Sequence, residues 1–148
     1  MEEVLELEIP ARPEFVALVR LVVSSVASSR RVLAEERIDD VKLAVSEACT
    51  NAIEAHSDVE TDDHVVVRLF EGDDRLDVVI DDRGTGFDPE SLPEHPPVTD
   101  PERLNFERGL GIPLIRTLVD EVDFDSGADG TSVRLTVYCG RAKIDDLL

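Results

Sequence analysis

The stretch LAVSEACTNAIEAH, residues Leu43 to His56, decides the fold. Apolar residues recur in it with the period of about 3.6 expected of a helix that packs one face on a core. Together with Val41 just before the stretch, those apolar residues are Leu43, Ala44, Val45, Ala48, Ala52 and Ile53. Glu47 and Asn51 lie four positions apart, so they project from one face on successive turns. Such a pair suits a metal-bound anion, but it could equally meet water or cap a neighbouring loop.

The composition predicts a soluble globular protein. Hydrophobic residues make up 42% and charged residues 33% of 148 residues, which is most simply one domain spanning 1–148. No apolar run reaches the ~18 residues of a membrane span. The start MEEVLELEIP alternates apolar and acidic residues, unlike a secretory signal. We therefore expect a cytoplasmic protein.

The net charge of −19, from 15 Lys+Arg against 34 Asp+Glu, disfavours direct nucleic-acid binding. An acidic surface would instead attract basic partners and speed their encounter. Solubility alone, or a high-salt habitat, would also account for the charge.

The two cysteines, Cys49 and Cys139, have no metal-ligand spacing. Each is therefore expected to be a small apolar group and not a ligand or nucleophile. A disulfide between them would be unexpected in a reducing cytosol.

The remaining patterns predict the order β-α-α-β-β-α-β-β. The first strand is predicted over 4–9, followed by a helix from Pro13 to about Arg30. The helix with Glu47 is expected to start at an N-cap, Asp39 or Asp40, and to end at Ser57. Two hairpins, with strands at 64–70 and 75–81 and at 122–125 and 131–138, flank a helix over 111–120.

Two further expectations concern side chains. In the strand 75–81, Leu76, Val78 and Ile80 should face a dry side and Asp77, Val79 and Asp81 a mostly wet side. In the helix over 111–120, the core-facing residues should be Ile112, Leu114, Ile115, Leu118 and Val119.

The predicted fold class is an α/β (α+β) two-layer sandwich. Its sheet is mixed and mostly antiparallel, and three amphipathic helices bury their apolar stripes against one face of it. The proline-rich segment at about 87–108 is expected to form a mobile lid, and residues 140–148 a loose tail.

Three glycine-containing segments carry the remaining signals. DRGTG, residues 82–86, follows a predicted strand, and its glycines would let the backbone approach a ligand, although it could also be a plain strand exit. RGLGIP, residues 108–113, opens a helix, where free N–H groups favour an anion or glycines simply permit a bend. The pair Gly130-Thr131 is uninformative in isolation.

Taken in this order, the four segments resemble the nucleotide-binding boxes of the GHKL ATPase superfamily. Glu47 and Asn51 match its N box, and the three glycine-containing segments match its G1, G2 and G3 boxes. VSEACTNAIEAH, DDRGTGF and RGLGIPLI are most similar to segments of the anti-sigma-factor serine-protein kinases of bacterial partner-switching systems. The resemblance covers about residues 4–138.

The resemblance implies a role for each matched residue. Glu47 would be the general base for a serine hydroxyl on a protein substrate, and Asn51 would coordinate Mg²⁺. Asp82 would accept a hydrogen bond from the adenine amino group of ATP or ADP. Further nucleotide contacts are expected from Gly84, Gly86, Gly109, Leu110, Gly111 and Thr131, with Arg108 and Arg103 as cations near the terminal phosphate.

Two departures from the family's pattern limit what is carried over. Ala55 stands where relatives often have histidine, and His56 comes one residue later, so no role passes to His56. Asp100 lies in the predicted lid where relatives often have a cation, which puts turnover in question but leaves nucleotide binding intact.

The resemblance therefore implies an ATP-dependent anti-sigma factor and serine-protein kinase that phosphorylates a STAS-domain antagonist. The expected partners are the sigma factor, the antagonist and a second copy in a homodimer, with Arg20 on the first helix as a partner contact. The alternative is a nucleotide-gated sequestering protein of the same fold without meaningful kinase activity. A histidine-kinase catalytic domain, or a plain α/β domain with incidental glycines, is less favoured.

Overall fold

The computed structural model describes residues 1–29, 33–54, 64–82, 113–127 and 130–138. Within these ranges the predicted order of strands and helices is confirmed, with an added 3-10 turn at Pro13–Phe15. In chain order the elements are β1 (Glu2–Pro10), α1 (Val16–Ser29), α2 (Glu35–Glu54), β2 (His64–Glu71), β3 (Arg75–Asp82), α3 (113–118), β4 (Glu121–Gly127) and β5 (Gly130–Tyr138).

The five strands form one sheet in the order β1-β2-β3-β5-β4. Every pairing among these described strands is antiparallel. A single core cluster joins one sheet face to the buried sides of all three helices. The predicted two-layer α/β sandwich is therefore confirmed, with helices on one face and no parallel pair in the described sheet.

Tertiary packing stabilises α1 although the sequence of α1 has a low intrinsic helix propensity. Its sequence VALVRLVVSSVASS is rich in valine, which lowers helix propensity by up to ~0.7 kcal/mol per residue. Val19 and Val23 are completely buried in the core, and burial of each such side chain contributes ~1.5–3 kcal/mol. Burial therefore outweighs the propensity deficit.

The start of α2 differs from the prediction. The helix begins at Glu35, so neither Asp39 nor Asp40 is its N-cap. The backbone N–H groups of Arg37 and Ile38 donate to the carbonyl of Ala34, the residue before the helix. Asp40 lies inside the helix and accepts a hydrogen bond from Arg37 Nη1 at 3.2 Å. Its carboxylate therefore pairs with a side chain of its own helix and does not cap the helix start.

Two leucines predicted to face the core are exposed. Leu43 is 43% and Leu114 is 38% exposed. At about 100° per residue, Leu43 lies roughly opposite the buried stripe that contains Val41, Ala44 and Ala48, so only one side of α2 reaches the sheet. In the segment 113–120, Ile115 and Val119 are buried in the core and Leu118 packs against it partly buried, as predicted.

Several predicted features lie outside the described residues. They are the end of the α2 segment at Ser57, the lid at about 87–108, the start of the helix over 111–120 and the tail 140–148. In the ranges that are described, no helix is long and apolar enough to cross a membrane.

The second face of the sheet is partly dry, which corrects the prediction for β3. Asp77 is 0% exposed and Val79 is also buried. The Asp77 carboxylate accepts hydrogen bonds from Arg75 Nε at 2.9 Å and Arg75 Nη2 at 2.8 Å, and another from Arg134 Nε. Long arginine side chains lie over this face and exclude water while they neutralise the carboxylate.

Phe70 completes this cover. The guanidinium groups of Arg134 and Arg68 lie 5.3 and 5.8 Å from the centre of its ring. Both are within the range of a cation–π contact. Phe70 also pairs directly with Asp77 across β2 and β3. The second face of the sheet is thus covered by arginine side chains that contact one buried carboxylate and one aromatic ring.

We expect Asp77→Asn to destabilise the protein by ~2 kcal/mol at pH 7, because two arginines lose a buried anionic partner. Burial by itself would raise the pKa of Asp77, but hydrogen bonds from Arg75 and Arg134 outweigh it and hold that pKa below its usual value. The stabilisation should therefore be complete above the unfolded-state pKa of ~4 and disappear as the pH falls through the lower folded-state pKa.

Urea unfolding at pH 7, 5, 4 and 3 measures this difference. Asp73→Asn is the matched control, because Asp73 is exposed in the turn between β2 and β3. Equal unfolding free energies for the two variants at pH 7 would contradict the stabilising role of Asp77.

Candidate functional site

Asp82 and Thr131 are brought together by strand pairing. They are direct partners in the antiparallel register of β3 and β5. Asp82 is only 3% exposed, and Val65 of β2 opposes it on its other side. A carboxylate and a hydroxyl therefore share one end of the sheet, at the point where β3 ends and β5 begins.

Gly130 shapes this end of the sheet. Its φ of 126° lies in the region that side-chain-bearing L-residues avoid. Gly130 also pairs with Gly127 across β4 and β5, and Thr131 follows it as the next residue of β5. The positive φ at position 130 therefore explains why the Gly130-Thr131 pair begins with glycine.

Glu47 and Asn51 lie on the border of the buried stripe of α2. Both are half-buried, whereas their neighbours Ala44 and Ala48 are fully buried in the core. Successive turns of one helix place the carboxylate and the carboxamide side by side, as the spacing predicts. This border lets α2 pack on the sheet and still present two polar groups.

The start of α2 can be placed relative to the sheet. Arg37, near the start of α2, donates a hydrogen bond to Asp120, which in turn accepts a hydrogen bond from the backbone N of Tyr138. Tyr138 pairs with Arg75, so the start of α2 lies at the end of the sheet opposite Asp82. From there α2 contacts β5, β3 and β2, and Glu47 and Asn51 follow Arg37 by ten and fourteen residues along the helix.

Six predicted nucleotide-binding residues lie outside the described residues. They are Gly84, Gly86, Arg108, Gly109, Leu110 and Gly111, and Arg103 of the predicted lid lies outside as well. Their roles stay predictions. The structure thus describes the positions of Glu47, Asn51, Asp82 and Thr131. The first two glycine-containing segments remain predictions from the sequence.

A magnesium site on α2 would have to share its ligands with a bound molecule. Within the described ranges, no group of three or more His, Cys, Asp or Glu residues could hold a metal ion. The Asn51 carboxamide oxygen is a hard donor on a half-exposed helix face, and Mg²⁺ is usually bound by one or two protein ligands plus phosphate oxygens and water. The residues present fit that arrangement.

Cys49 is excluded as a nucleophile. It is fully buried in the core beneath α2, and burial raises the pKa of its thiol to about 12. A thiol that stays protonated at neutral pH is unreactive. The prediction that Cys49 is a small apolar core residue is confirmed.

One buried charged residue of α2 was missed by sequence reasoning. Arg37 is 4% exposed and lies on the same stripe of α2 as Val41, Ala44 and Ala48. The available signal was its spacing: an arginine one turn before a run of core positions indicates a buried, paired charge.

Comparison with known proteins identifies the family. Residues 9–137 match the model of the histidine kinase-like ATPase domain. The serine-protein kinase RsbW of Bacillus pumilus is 38% identical to the chain over 97% of it and 90% of the relative. RsbW of Bacillus subtilis is 37% identical over 95% and 89%. RsbW of Listeria monocytogenes is 36% identical over 99% and 94%.

A solved structure supports the same architecture. The crystal structure of the RsbU and RsbW domains of a Mycobacterium tuberculosis protein superimposes with a TM-score of 0.64 at 22% identity. It covers 93% of this chain, which spans 33% of that longer chain. At this identity the likeness supports the fold alone. The sequence matches are what decide the family, and the chain belongs to the histidine kinase-like ATPase domain family.

Proposed function

We propose that this chain is an ATP-dependent serine-protein kinase that also acts as an anti-sigma factor. It would phosphorylate a STAS-domain antagonist, and unphosphorylated antagonist would bind in place of the sigma factor and release it. The observation that carries the proposal is the similarity to serine-protein kinases over at least 95% of the chain. The pairing of Asp82 with Thr131 at one end of the sheet supports it.

The end of the sheet at Asp82 and Thr131 would bind adenine. A buried carboxylate is an acceptor only, so Asp82 selects a base that offers an exocyclic amine and disfavours one that offers a carbonyl. Thr131, its strand partner, would add a hydroxyl contact directly or through water. Gly84 and Gly86, which follow Asp82 in sequence, would let the chain approach the base and sugar.

The carboxyl half of α2 would serve the phosphate end. Glu47 would take the proton from the substrate serine hydroxyl, and the half-buried position of Glu47 keeps it reachable by a protein substrate. Asn51 would hold Mg²⁺, which when bound neutralises charge on phosphate oxygens. Gly109, Leu110 and Gly111, with Arg108, would contact the phosphates.

The outer face of α1 would contact protein partners. Arg20 is exposed between Leu18 and Leu21, of which Leu21 is 62% exposed. α1 contains no acidic residue, although the chain carries a net charge of −19. An apolar surface with one cation suits a partner that presents apolar groups and a carboxylate. We further propose that the protein is a cytoplasmic homodimer of one domain per chain.

Glu47→Gln should lower the rate of phosphate transfer to a STAS-domain antagonist by about 10²–10⁴-fold, because the amide cannot accept the serine proton. Labelled ATP and purified antagonist measure the transfer. The control is Glu36→Gln, an exposed glutamate on the same helix. Transfer by Glu47→Gln at the wild-type rate would rule out Glu47 as the base. Tight ATP binding without transfer by the wild type would favour the non-catalytic sequestering protein.

Asn51→Ala should weaken ATP binding by about 10–100-fold in the presence of Mg²⁺ and much less in its absence, because the carboxamide contributes a metal ligand. Isothermal titration with ATP and ADP, each with and without Mg²⁺, measures this. Thr50→Ala, the adjacent half-buried position, is the control. An equal loss with and without Mg²⁺ would contradict the metal role.

Arg20→Glu should weaken binding to the STAS-domain antagonist by about tenfold or more, since it reverses the cation on α1 and places like charges together. Titration of the antagonist into ADP-loaded protein measures the affinity. Arg12→Glu, an exposed arginine before α1, controls for the change in net charge. If both variants lose affinity equally, net charge and not α1 governs the encounter.

A further inference from the structure

One row of side chains runs along α2 away from the core. Its members follow one another at intervals of four residues, and we call them the α2 row: Asn51, Glu47, Leu43 and Asp39. Each member lies about 6 Å along the helix axis from the next and is turned by about 40° from it. Glu47 and Asn51 are half-buried, whereas Leu43 and Asp39 are exposed. A partner that reaches Glu47 from outside therefore meets the other members of the row.

Leu43 is the apolar member of this row. It is 43% exposed, while Ala44 and Val45, which follow it directly, are completely buried. A single exposed leucine is common on protein surfaces, so its exposure alone carries little information. Its position is informative, because it lies one helical turn before the proposed general base.

The proposed roles of Glu47 and Asn51 give the row a direction. A serine hydroxyl must come within about 2.6–3.2 Å of the Glu47 carboxylate to lose its proton, so the segment that carries the serine also covers side chains about 6 Å away. On the Asn51 side, Mg²⁺ and phosphate oxygens would occupy that space. In-line transfer places the attacking oxygen and the leaving group on opposite sides of the phosphorus. The protein substrate is therefore expected on the Leu43 side.

Asp39 continues the row beyond Leu43. Its neighbour Asp40 is paired with Arg37, whereas Asp39 forms no ion pair within the ranges that the structure describes. It lies eight residues before Glu47, which is about 12 Å along the axis. An exposed carboxylate at that distance suits a lysine or arginine of the partner.

We propose that Leu43 and Asp39 are specificity-determining residues for the protein substrate. They select a serine that has an apolar residue close to it and a lysine or arginine further along on the same side. The spacing of about 6 Å corresponds to two residues of an extended partner segment or to about one turn of a partner helix. The apolar residue should thus lie two to four positions from the serine, and the cation four to eight positions from it. This inference rests on the proposed kinase activity, with Glu47 as the base.

The first test replaces Leu43 with alanine, the residue with the highest helix propensity, so the helix is retained. We expect Leu43→Ala to raise the KM for a STAS-domain antagonist about five- to tenfold, because apolar surface is no longer buried against the substrate. The kcat and the ATP dissociation constant should change less than about twofold. Val4→Ala is the matched control, since Val4 is 42% exposed on β1. Labelled ATP and purified antagonist give the kinetic constants, and isothermal titration gives the ATP affinity.

The second test removes the charge of Asp39. Asp39→Asn should raise the same KM about two- to fivefold at low ionic strength, and the difference from wild type should disappear at about 0.5 M salt, where exposed charges are screened. Asp73→Asn makes the same chemical change at an exposed position in the turn between β2 and β3 and should leave the KM unchanged.

The third test examines the partner. Mass spectrometry locates the phosphorylated serine of the antagonist, and each apolar residue two to four positions from it is replaced by alanine. For the residue that contacts Leu43, the KM effect of the double change, with Leu43→Ala in the kinase, should fall well below the product of the two single effects.

The outcomes separate this inference from the proposed function. An unchanged KM in Leu43→Ala, or in Asp39→Asn at low salt, would overturn the role of that residue and leave the kinase activity standing. A loss of ATP affinity equal to the rise in KM would indicate a general structural role and would also overturn it. Absence of phosphate transfer by the wild type would overturn the proposed function, and this inference with it.

Discussion

The packing of α2 on the sheet is the constraint on which the rest of the structure depends. Val41, Ala44 and Ala48 are small enough to let the helix lie close to β3 and β5, and Cys49 is buried in the same core cluster. That burial fixes the rotation of the helix about its axis. This rotation of α2 places Glu47 and Asn51 on the border of the buried stripe. Their side chains are accessible there, while their backbone is held rigidly in the helix.

Charge is distributed unevenly around this scaffold. The chain has a large acidic excess, yet several of its arginines lie in the core or against the sheet and pair with carboxylates there. Arg37 joins helices to β5, and Arg75 and Arg134 enclose Asp77 on the opposite face. Each of these pairs costs desolvation that an apolar pair would avoid, so they favour a defined geometry more than they favour stability.

The predictions from the sequence agreed best with the structure where they rested on hydrophobic periodicity. The order of the elements, the two hairpins and the core face of β3 follow from alternation and helical spacing, since these patterns reflect which side of an element is buried. The start of α2 was placed wrongly, because an aspartate inside a helix and an aspartate cap look alike until the position of Arg37 is known. The buried Asp77 was missed because its cover comes from β5 and from its own strand.

The sequence by itself determined the fold class, the family resemblance and the identity of the four described candidate residues, because motif spacing and hydrophobic period are local properties. Only the tertiary structure decided that Asp82 and Thr131 are strand partners and that the start of α2 lies at the Tyr138 end of the sheet. It also decided that Arg37 is buried in a three-way junction. These facts depend on register and on contacts between residues up to 83 positions apart, which no local pattern encodes.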